Sequence, residues 1–206
     1  GLWQLLFLMP AKINGTGVFK NILELKPAQC GVFSSDGLRL WSYWQLEAKE
    51  SRESRTEILE HTRFLLTDAI KRQLVSDAPL CTFLSGGLDS SLITSVAAKE
   101  YEKSGMTLST YSFEYEDNKK YFKSTLFQPQ GDDEYALYFA DYLKTHHHVL
   151  IAPVNEIAEK LTDAVYYRDL PGQADIDSSL LYFCSLVKNE HTVGISGECA
   201  DESGFT

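Results

Sequence analysis

An apolar run, two glycines and a helical repeat follow one another in the middle of the chain. Residues 80–84 indicate a short buried strand, and the apolar positions from Leu88 to Tyr101 recur at helical spacing. Ser85-Gly86-Gly87 must therefore form a tight turn between a strand and a helix. Two glycines permit positive φ angles and a close backbone approach to a ligand, and the first amides of a helix lack intrahelical partners. The pattern predicts a phosphate-binding turn at the positive end of a helix dipole.

The polar side chains of this turn differ from those of a Walker loop, which supplies a Lys. Here the chain offers hydroxyls at Ser85, Ser90 and Ser91 and a carboxylate at Asp89. A carboxylate next to a phosphate is repulsive unless a divalent cation lies between them. The turn therefore predicts phosphate binding in which Asp89 contacts a metal ion.

A second acidic turn follows another predicted strand, at residues 192–195. Ser196 and Gly197 come next, and Glu198 and Asp201 are spaced so that they share a face if the segment is helical. Packed carboxylates repel one another unless they bind a cation. Because open α/β sheets gather ligand-binding turns at the carboxyl ends of their strands, we predict that Glu198 and Asp201 lie beside the first turn.

The periodicity elsewhere predicts an α/β chain preceded by a small β segment. Helices are predicted at 3–8, 56–74, 88–101, 132–144, 155–167 and from about Asp175 onward, and strands at 18–25, 29–33, 38–46, 80–84, 107–115, 149–151 and 192–195. Ser35-Asp36-Gly37 is a hairpin signal. Residues 116–131 are predicted to form a surface loop of the kind that makes lids.

Predictions also follow for several other polar residues. Asp132 or Asp133 is expected to cap the helix that follows. Asp177 is expected to cap the helix that begins near Asp175. The alternative is a role around an acyl substrate. Three histidines, His146-His147-His148, precede a predicted strand, in which adjacent side chains point to opposite faces. A structural or substrate-side role is therefore predicted for them, rather than a shared metal site.

The composition narrows the classes of partner. The 206 residues carry a formal net charge of −10, which argues against binding to nucleic acid or to an anionic membrane surface. No apolar run approaches the roughly 20 residues of a spanning helix, and a cytoplasmic location is predicted. The four cysteines lack C-x-x-C spacing and are predicted to be buried thiols: Cys30, Cys81, Cys184 and Cys199.

The two turns carry a resemblance to a known family. Ser85-Gly86-Gly87-Leu88-Asp89-Ser90-Ser91 resembles the S-G-G-x-D-S-S loop of the ATP pyrophosphatases, which split ATP between its α- and β-phosphates. Ser196–Glu202 resembles the S-G-E-G-x-D-E signature that faces this loop in glutamine-dependent asparagine synthetases, with Cys199 in place of a glycine. Residues 17–44 resemble the closing segment of the family's amidotransferase (glutaminase) domain, with matches at Gly17, Phe19, Ile22, Glu24, Leu25, Pro27, Tyr43 and Trp44.

The resemblance implies a doubly wound, mainly parallel sheet of the ATP pyrophosphatase (adenine nucleotide alpha-hydrolase-like) type. Residues 1–50 would be the tail end of the glutaminase domain, and residues 51–206 the synthetase domain without its C-terminal part. Asp89, Glu198 and Asp201 would be catalytic and would bind Mg²⁺. The residues implied to contact ATP are Phe83, Leu84, Ser85, Gly86, Gly87, Asp89, Ser90, Ser91, Phe113, Ser196 and Gly197.

The implied reaction joins aspartate and ammonia from glutamine at the expense of ATP. Aspartate would become β-aspartyl-AMP with release of pyrophosphate, and ammonia would then displace AMP to give asparagine. A homodimer is among the assemblies that the resemblance allows. Two alternatives stay open: adenylation of another acyl substrate, as in β-lactam-forming relatives, and a nucleotide-binding module without chemistry.

Overall fold

The computed structural model describes residues 1–8, 13–123, 131–198 and 200. After residue 54, one or two helices separate each strand from the next, as the sequence predicts for an α/β chain. The helices are α1 Leu2–Phe7, α2 Arg55–Gln73, α3 Leu88–Lys103, α4 Asn118–Tyr121, α5 Asp132–Leu143, α6 Val154–Arg168 and α7 Ala174–Val187. The strands are β1 Gln29–Ser34, β2 Gly37–Ser42, β3 Leu80–Phe83, β4 Ser109–Tyr115, β5 His146–Ala152 and β6 Val193–Ile195.

The main sheet has the strand order β5-β4-β3-β6, and every neighbouring pair is parallel. The chain builds β3, β4 and β5 outward in one direction and then returns to add β6 on the other side of β3. This reversal is a topological switch point, where open α/β sheets form a crevice outside the carboxyl ends of the strands. The predicted α/β fold with a parallel sheet is confirmed.

Helices cover both faces of the sheet. One layer joins β3 and β4 to α3 through Leu80, Ala97, Ala98 and Leu108, with α2 and α5 packed against it. The opposite layer joins the same strands to α7 through Cys81, Tyr111, Phe183 and Val187. Because side chains alternate along a strand, neighbouring residues of β3 enter different layers, and the sheet is wound on both sides.

The N-terminal part forms a separate two-stranded antiparallel sheet. Strands β1 and β2 pair from Gln29–Ser42 to Ser34–Gly37, so the hairpin predicted at Ser35-Asp36-Gly37 is confirmed. Gly37 has a φ of 105°, a conformation that glycine adopts without steric cost.

The strand predicted at residues 18–25 is wrong. Ile22 donates its backbone N–H to the Phe19 carbonyl in a turn, and Asn21 adopts a left-handed conformation with a φ of 64°. The apolar residues there follow a turn rather than a ladder, since they have no neighbouring strand within the described residues.

The ends of some elements also differ from the prediction. Helix α5 begins at Asp132 with Gly131 as its N-cap, so the capping role predicted for Asp132 or Asp133 is wrong. The predicted loop at 116–131 contains the short helix α4, and residues 124–130 of that lid candidate lie outside the described residues. The three histidines begin β5 instead of preceding it.

The cysteines are less uniformly buried than predicted. Cys81 is buried between β3 and α7, whereas Cys30 is half-buried and Cys184 is exposed on α7. Cys199 lies outside the described residues. The prediction for Cys184 is wrong because its helix turns this side chain toward an open cavity rather than into the core.

Within the described ranges, no helix combines the length and the apolar character that crossing a membrane requires.

Candidate functional site

The turn after β3 has the shape of an anion cradle. The Leu84 N–H donates to the Tyr111 carbonyl at 2.8 Å, which extends the pairing with β4 as far as the turn. Gly86 has a φ of 89°, and Gly87 is the N-cap of α3. Since α3 begins at Leu88, its first amides have no intrahelical carbonyl to bind and present the positive end of the helix dipole.

The Ser90 side chain hydrogen-bonds to the backbone on both sides of this turn. Its Oγ donates to the Gly87 carbonyl at 3.1 Å and accepts from the Ser85 N–H at 3.2 Å. The Ser85 Oγ lies 3.0 Å from the Ser90 Oγ and accepts from the Gly87 N–H at 3.3 Å. Ser90 and Ser91 are both buried. These hydroxyls fix the path of the backbone, so the amides of the turn are held in place before any ligand arrives.

The second turn, Ser196-Gly197-Glu198, touches the first. A Cβ atom placed on Gly197 would lie 3.0 Å from the Ser90 nitrogen and 3.1 Å from the Asp89 Cβ. This contact arises because β6 pairs in parallel with β3, which brings the ends of both strands to the same edge of the sheet. A side chain at position 197 would force the first turn to shift by a few tenths of an ångström.

Both turns line one cavity of about 970 Å³ at the carboxyl ends of the strands. A cavity of this size is at the upper end of the range for small-molecule sites. The predicted residues that line it are Phe83, Leu84, Ser85, Gly87, Asp89, Ser90, Phe113, Ser196, Gly197 and Glu198. Gly86 and Ser91 belong to the turn but are not lining residues, and Asp201 lies outside the described residues.

One wall of the cavity comes from α7, of which only Asp177 was given a possible role at the site from the sequence. Phe183 packs edge-on against Phe113 with ring centroids 5.2 Å apart, and Tyr115 donates its hydroxyl to Ser179 at 3.0 Å. Phe113 and Tyr115 also contact each other, at 5.3 Å. Strand alternation could have placed these two aromatics on one face, but nothing in the pattern of α7 showed which of its faces meets them.

The cavity walls are acidic. Four carboxylate residues line the cavity, and its described lining residues include no Lys or Arg: the acids are Asp89, Glu114, Asp133 and Glu198. A phosphate in this cavity would therefore need a cation to offset the repulsion. Carboxylate oxygens are hard donors that suit Mg²⁺, so Asp89 and Glu198 fit the ion chemically.

The described residues do not contain a ready-made metal cage. No cluster of three His, Cys, Asp or Glu side chains in those parts of the chain is arranged to hold an ion. Mg²⁺ is commonly held by one or two carboxylates together with substrate phosphates and water. The donors present therefore fit an ion that arrives with a nucleotide.

The histidines of β5 diverge onto opposite faces of the sheet. The His147 ring lies 2.8 Å from the Thr110 hydroxyl through Nδ1 and 3.1 Å from the Ser112 hydroxyl through Nε2. The His148 ring stacks on Tyr111 with centroids 4.8 Å apart. Burial lowers the pKa of His147 below its ordinary value, and the neighbouring His148 lowers it further.

Asp177 has a different role from the predicted cap. Helix α7 begins at Ala174 with Gln173 as its N-cap, so Asp177 lies past the capping position. Arg168 at the end of α6 donates from Nη1 to the Asp177 carboxylate at 2.5 Å. The capping prediction is wrong, because the side chain joins α6 to α7 instead.

Comparisons with known proteins converge on one family. The asparagine synthase family profile matches residues 61–203. The chain is 46% identical, over 98% of its length, to asparagine synthetase [glutamine-hydrolyzing] 3 of Bacillus subtilis (strain 168), of which it covers 33%. It is also 30% identical to Amidase chyE of Penicillium rubens, over 78% of this chain and 25% of that protein.

A solved structure, NAD+ synthetase from Burkholderia pseudomallei, is similar to 71% of this chain and 63% of its own, with a TM-score of 0.39 and 12% identity. The chain spans about a third of the length of the first curated relatives that it matches.

Proposed function

Because the chain belongs to the asparagine synthase family, we propose that it forms the ATP-binding part of an amide-forming ligase. The observation that carries this proposal is the contact of Gly197 with Asp89 and Ser90. It unites the two family-like turns in one cavity, at the switch point where such sheets bind ligands. We also propose the division into residues 1–50, from a glutaminase domain, and residues 51–206, from a synthetase domain.

In this proposal the phosphates of ATP lie on the turn at residues 85–91, at the amides that begin α3. The turn supports this placement because the Ser85 and Gly87 N–H groups bind hydroxyls within it and hold its shape, while the first N–H groups of α3 have no intrahelical carbonyl to bind. The base lies against Phe113, and Ser196 and Gly197 flank the nucleotide from β6. Phe183 and Tyr115 complete the apolar side of the cavity, where an aromatic base can pack.

Mg²⁺ completes the proposed site. Asp89 and Glu198 would hold it, with Asp201 as a third proposed ligand. When bound, the ion supplies positive charge that neutralises the phosphates between the acidic walls. The chain's own residues then have two tasks, to orient the triphosphate and to exclude water from the reacting groups.

The proposed chemistry has two steps. An oxygen of the aspartate β-carboxylate attacks the α-phosphorus, a new P–O bond forms, and the bond to the bridging oxygen breaks with release of pyrophosphate. Ammonia then attacks the acyl carbon of β-aspartyl-AMP, AMP leaves with the C–O bond electrons, and the nitrogen loses a proton. No side chain has to act as a covalent nucleophile, so alignment by the turn is the main contribution of this chain.

A second candidate changes the acyl substrate and keeps the adenylation. The 30% identity to a protein named an amidase favours it, because the family resemblance then extends beyond asparagine synthetases. Glutamine as the source of ammonia, a cytoplasmic location and a homodimer stay predictions that rest on the resemblance and the composition.

The test is a chimaera in which this chain replaces the matching third of the Bacillus subtilis relative. We expect ATP–pyrophosphate exchange that depends on aspartate. Exchange with other acids but not with aspartate would support the second candidate. Nucleotide binding without exchange, while the unmodified relative is active in parallel, would contradict a catalytic role and identify a nucleotide-binding module.

A further inference from the structure

A chain of hydrogen bonds runs from the end of α5 to the wall of the cavity. The Thr145 hydroxyl lies 3.5 Å from the Ala140 carbonyl and 3.0 Å from the Thr110 hydroxyl. Thr110 contacts Nδ1 of His147 at 2.8 Å, and Nε2 of the same ring contacts Ser112 at 3.1 Å. Thr110 is fully buried, and Ser112 is 7% exposed and lines the cavity.

The Ala140 carbonyl determines which group donates in each hydrogen bond of this series. A carbonyl oxygen only accepts, so Thr145 donates to Ala140 and its oxygen accepts from Thr110. Thr110 has then used its only hydrogen and must accept from His147, which places the ring proton on Nδ1. The unprotonated Nε2 accepts from Ser112, and the Ser112 oxygen is left with its lone pairs.

The lowered pKa of His147 agrees with a neutral ring in this series of hydrogen bonds. Burial is the main cause of the lowered pKa, and it keeps the ring neutral near pH 7. A neutral imidazole has one donor and one acceptor, as the chain of hydrogen bonds requires.

Resting on the proposed function, we propose that His147 is a positioning residue that holds Ser112 as a hydrogen-bond acceptor for a donor group of the bound nucleoside. Phosphate oxygens carry no hydrogen at neutral pH apart from the terminal group, so an acceptor in this wall does not suit them. Ser112 and Phe113, the proposed contact of the base, both line the cavity. The matching donors are the exocyclic amine of adenine and the hydroxyls of the ribose.

The direction of these hydrogen bonds can be tested without any nucleotide. Nitrogen NMR of the wild-type chain, with His147 assigned by comparison with His147→Gln, distinguishes the two neutral tautomers. We expect the proton on Nδ1. With a proton on Nε2, the ring would donate to Ser112 and accept from Thr110. That result would overturn the proposal, because Ser112 would then be left as a donor.

Nucleotide binding tests the role of Ser112. We expect Ser112→Ala to weaken ATP binding by about threefold to tenfold, the usual effect of losing one neutral hydrogen bond. Ser109→Ala is the matched control in the same strand, at a position that does not line the cavity, and should leave binding unchanged. His147→Leu should reproduce the loss, and combining it with Ser112→Ala should add little.

Nucleotide analogues distinguish the two donors. If the adenine amine is the partner, Ser112→Ala weakens binding of ATP but not of inosine triphosphate. If a ribose hydroxyl is the partner, the loss persists with inosine triphosphate and disappears with the matching deoxy-ATP. Unchanged ATP binding by Ser112→Ala, or an equal loss with every analogue, would overturn the proposal. A wild-type chain that binds no ATP would instead contradict the proposed function.

Discussion

Asp89 is the acid that the first turn presents to the cavity. Losing one charged group from a desolvated phosphate site costs about 3 kcal/mol or more in the transition state. In the chimaera we therefore expect Asp89→Asn to abolish ATP–pyrophosphate exchange with no change in thermal unfolding. Asp77→Asn, in an exposed segment before β3, is the control. Near-normal exchange by a folded Asp89→Asn chimaera would refute the role proposed for this carboxylate.

Gly197 is the point of contact between the two turns. We expect Gly197→Ala to weaken ATP binding severalfold with little loss of stability, because its methyl group would push on the Ser90 backbone at 3.0 Å and separate the turns. Gly105→Ala is the converse case. Gly105 has open space around it but a φ of 70°, so alanine there should cost about 1 kcal/mol of stability without changing ATP binding. Calorimetric titration and urea unfolding of both variants measure the two effects.

His147 makes stability depend on pH. Its pKa in the folded chain is below the ordinary value of 6.5, so the unfolded chain binds more protons as the pH falls through that value. The free energy of unfolding should therefore decrease below about pH 6.5. His147→Gln should reduce this decrease, as measured by urea unfolding one unit above and one unit below that pH.

A buried pair of threonines joins β3 to α3 just before the turn. The Thr82 and Thr94 hydroxyls lie 3.0 Å apart, and both residues are fully buried. Thr82→Val leaves Thr94 without its partner and should cost about 1–3 kcal/mol. Replacing both residues with valine removes both polar groups and should restore most of that stability. Urea unfolding of the single and double variants measures this, and a double variant less stable than either single one would contradict the account.

At the scale of elements, local patterns were most informative where a physical signal is short-range. Helix α2 begins with a capping box in which Ser54 and Glu57 bind each other's backbone N–H groups, and its predicted position differs by one residue at each end. The strand prediction at residues 18–25 was wrong because an apolar run forms a strand only where a partner strand is available. The capping prediction for Asp177 was wrong because its partner, Arg168, lies on another helix.

Exposed apolar side chains are distributed unevenly over the surface of the molecule. Large exposed apolar side chains concentrate in the first 46 residues, among them Trp3, Phe7, Phe33 and Trp44. Monomeric proteins rarely expose contiguous patches of this kind. The core layers, in contrast, are built from residues beyond position 69.

We therefore expect a chain without residues 1–50 to unfold at the same temperature as the full chain. It should also bind less of a hydrophobic dye, because it lacks the exposed apolar surface of the N-terminal part. Thermal unfolding and dye fluorescence of the two chains provide the comparison. A loss of cooperative unfolding on truncation would contradict the proposed division at residue 50.

The sequence by itself determined the strand, turn and helix around Ser85–Ser91, the alternation of β4 and the acidic character of both turns. These depend on backbone freedom, side-chain period and charge, which act over a few residues. Only the tertiary structure decided that β6 lies beside β3, that Gly197 touches Ser90, and that Phe183 forms part of the cavity wall. Parallel pairing joins segments far apart in the chain, and its free energy depends on the packing of whole layers, so no local pattern specifies it.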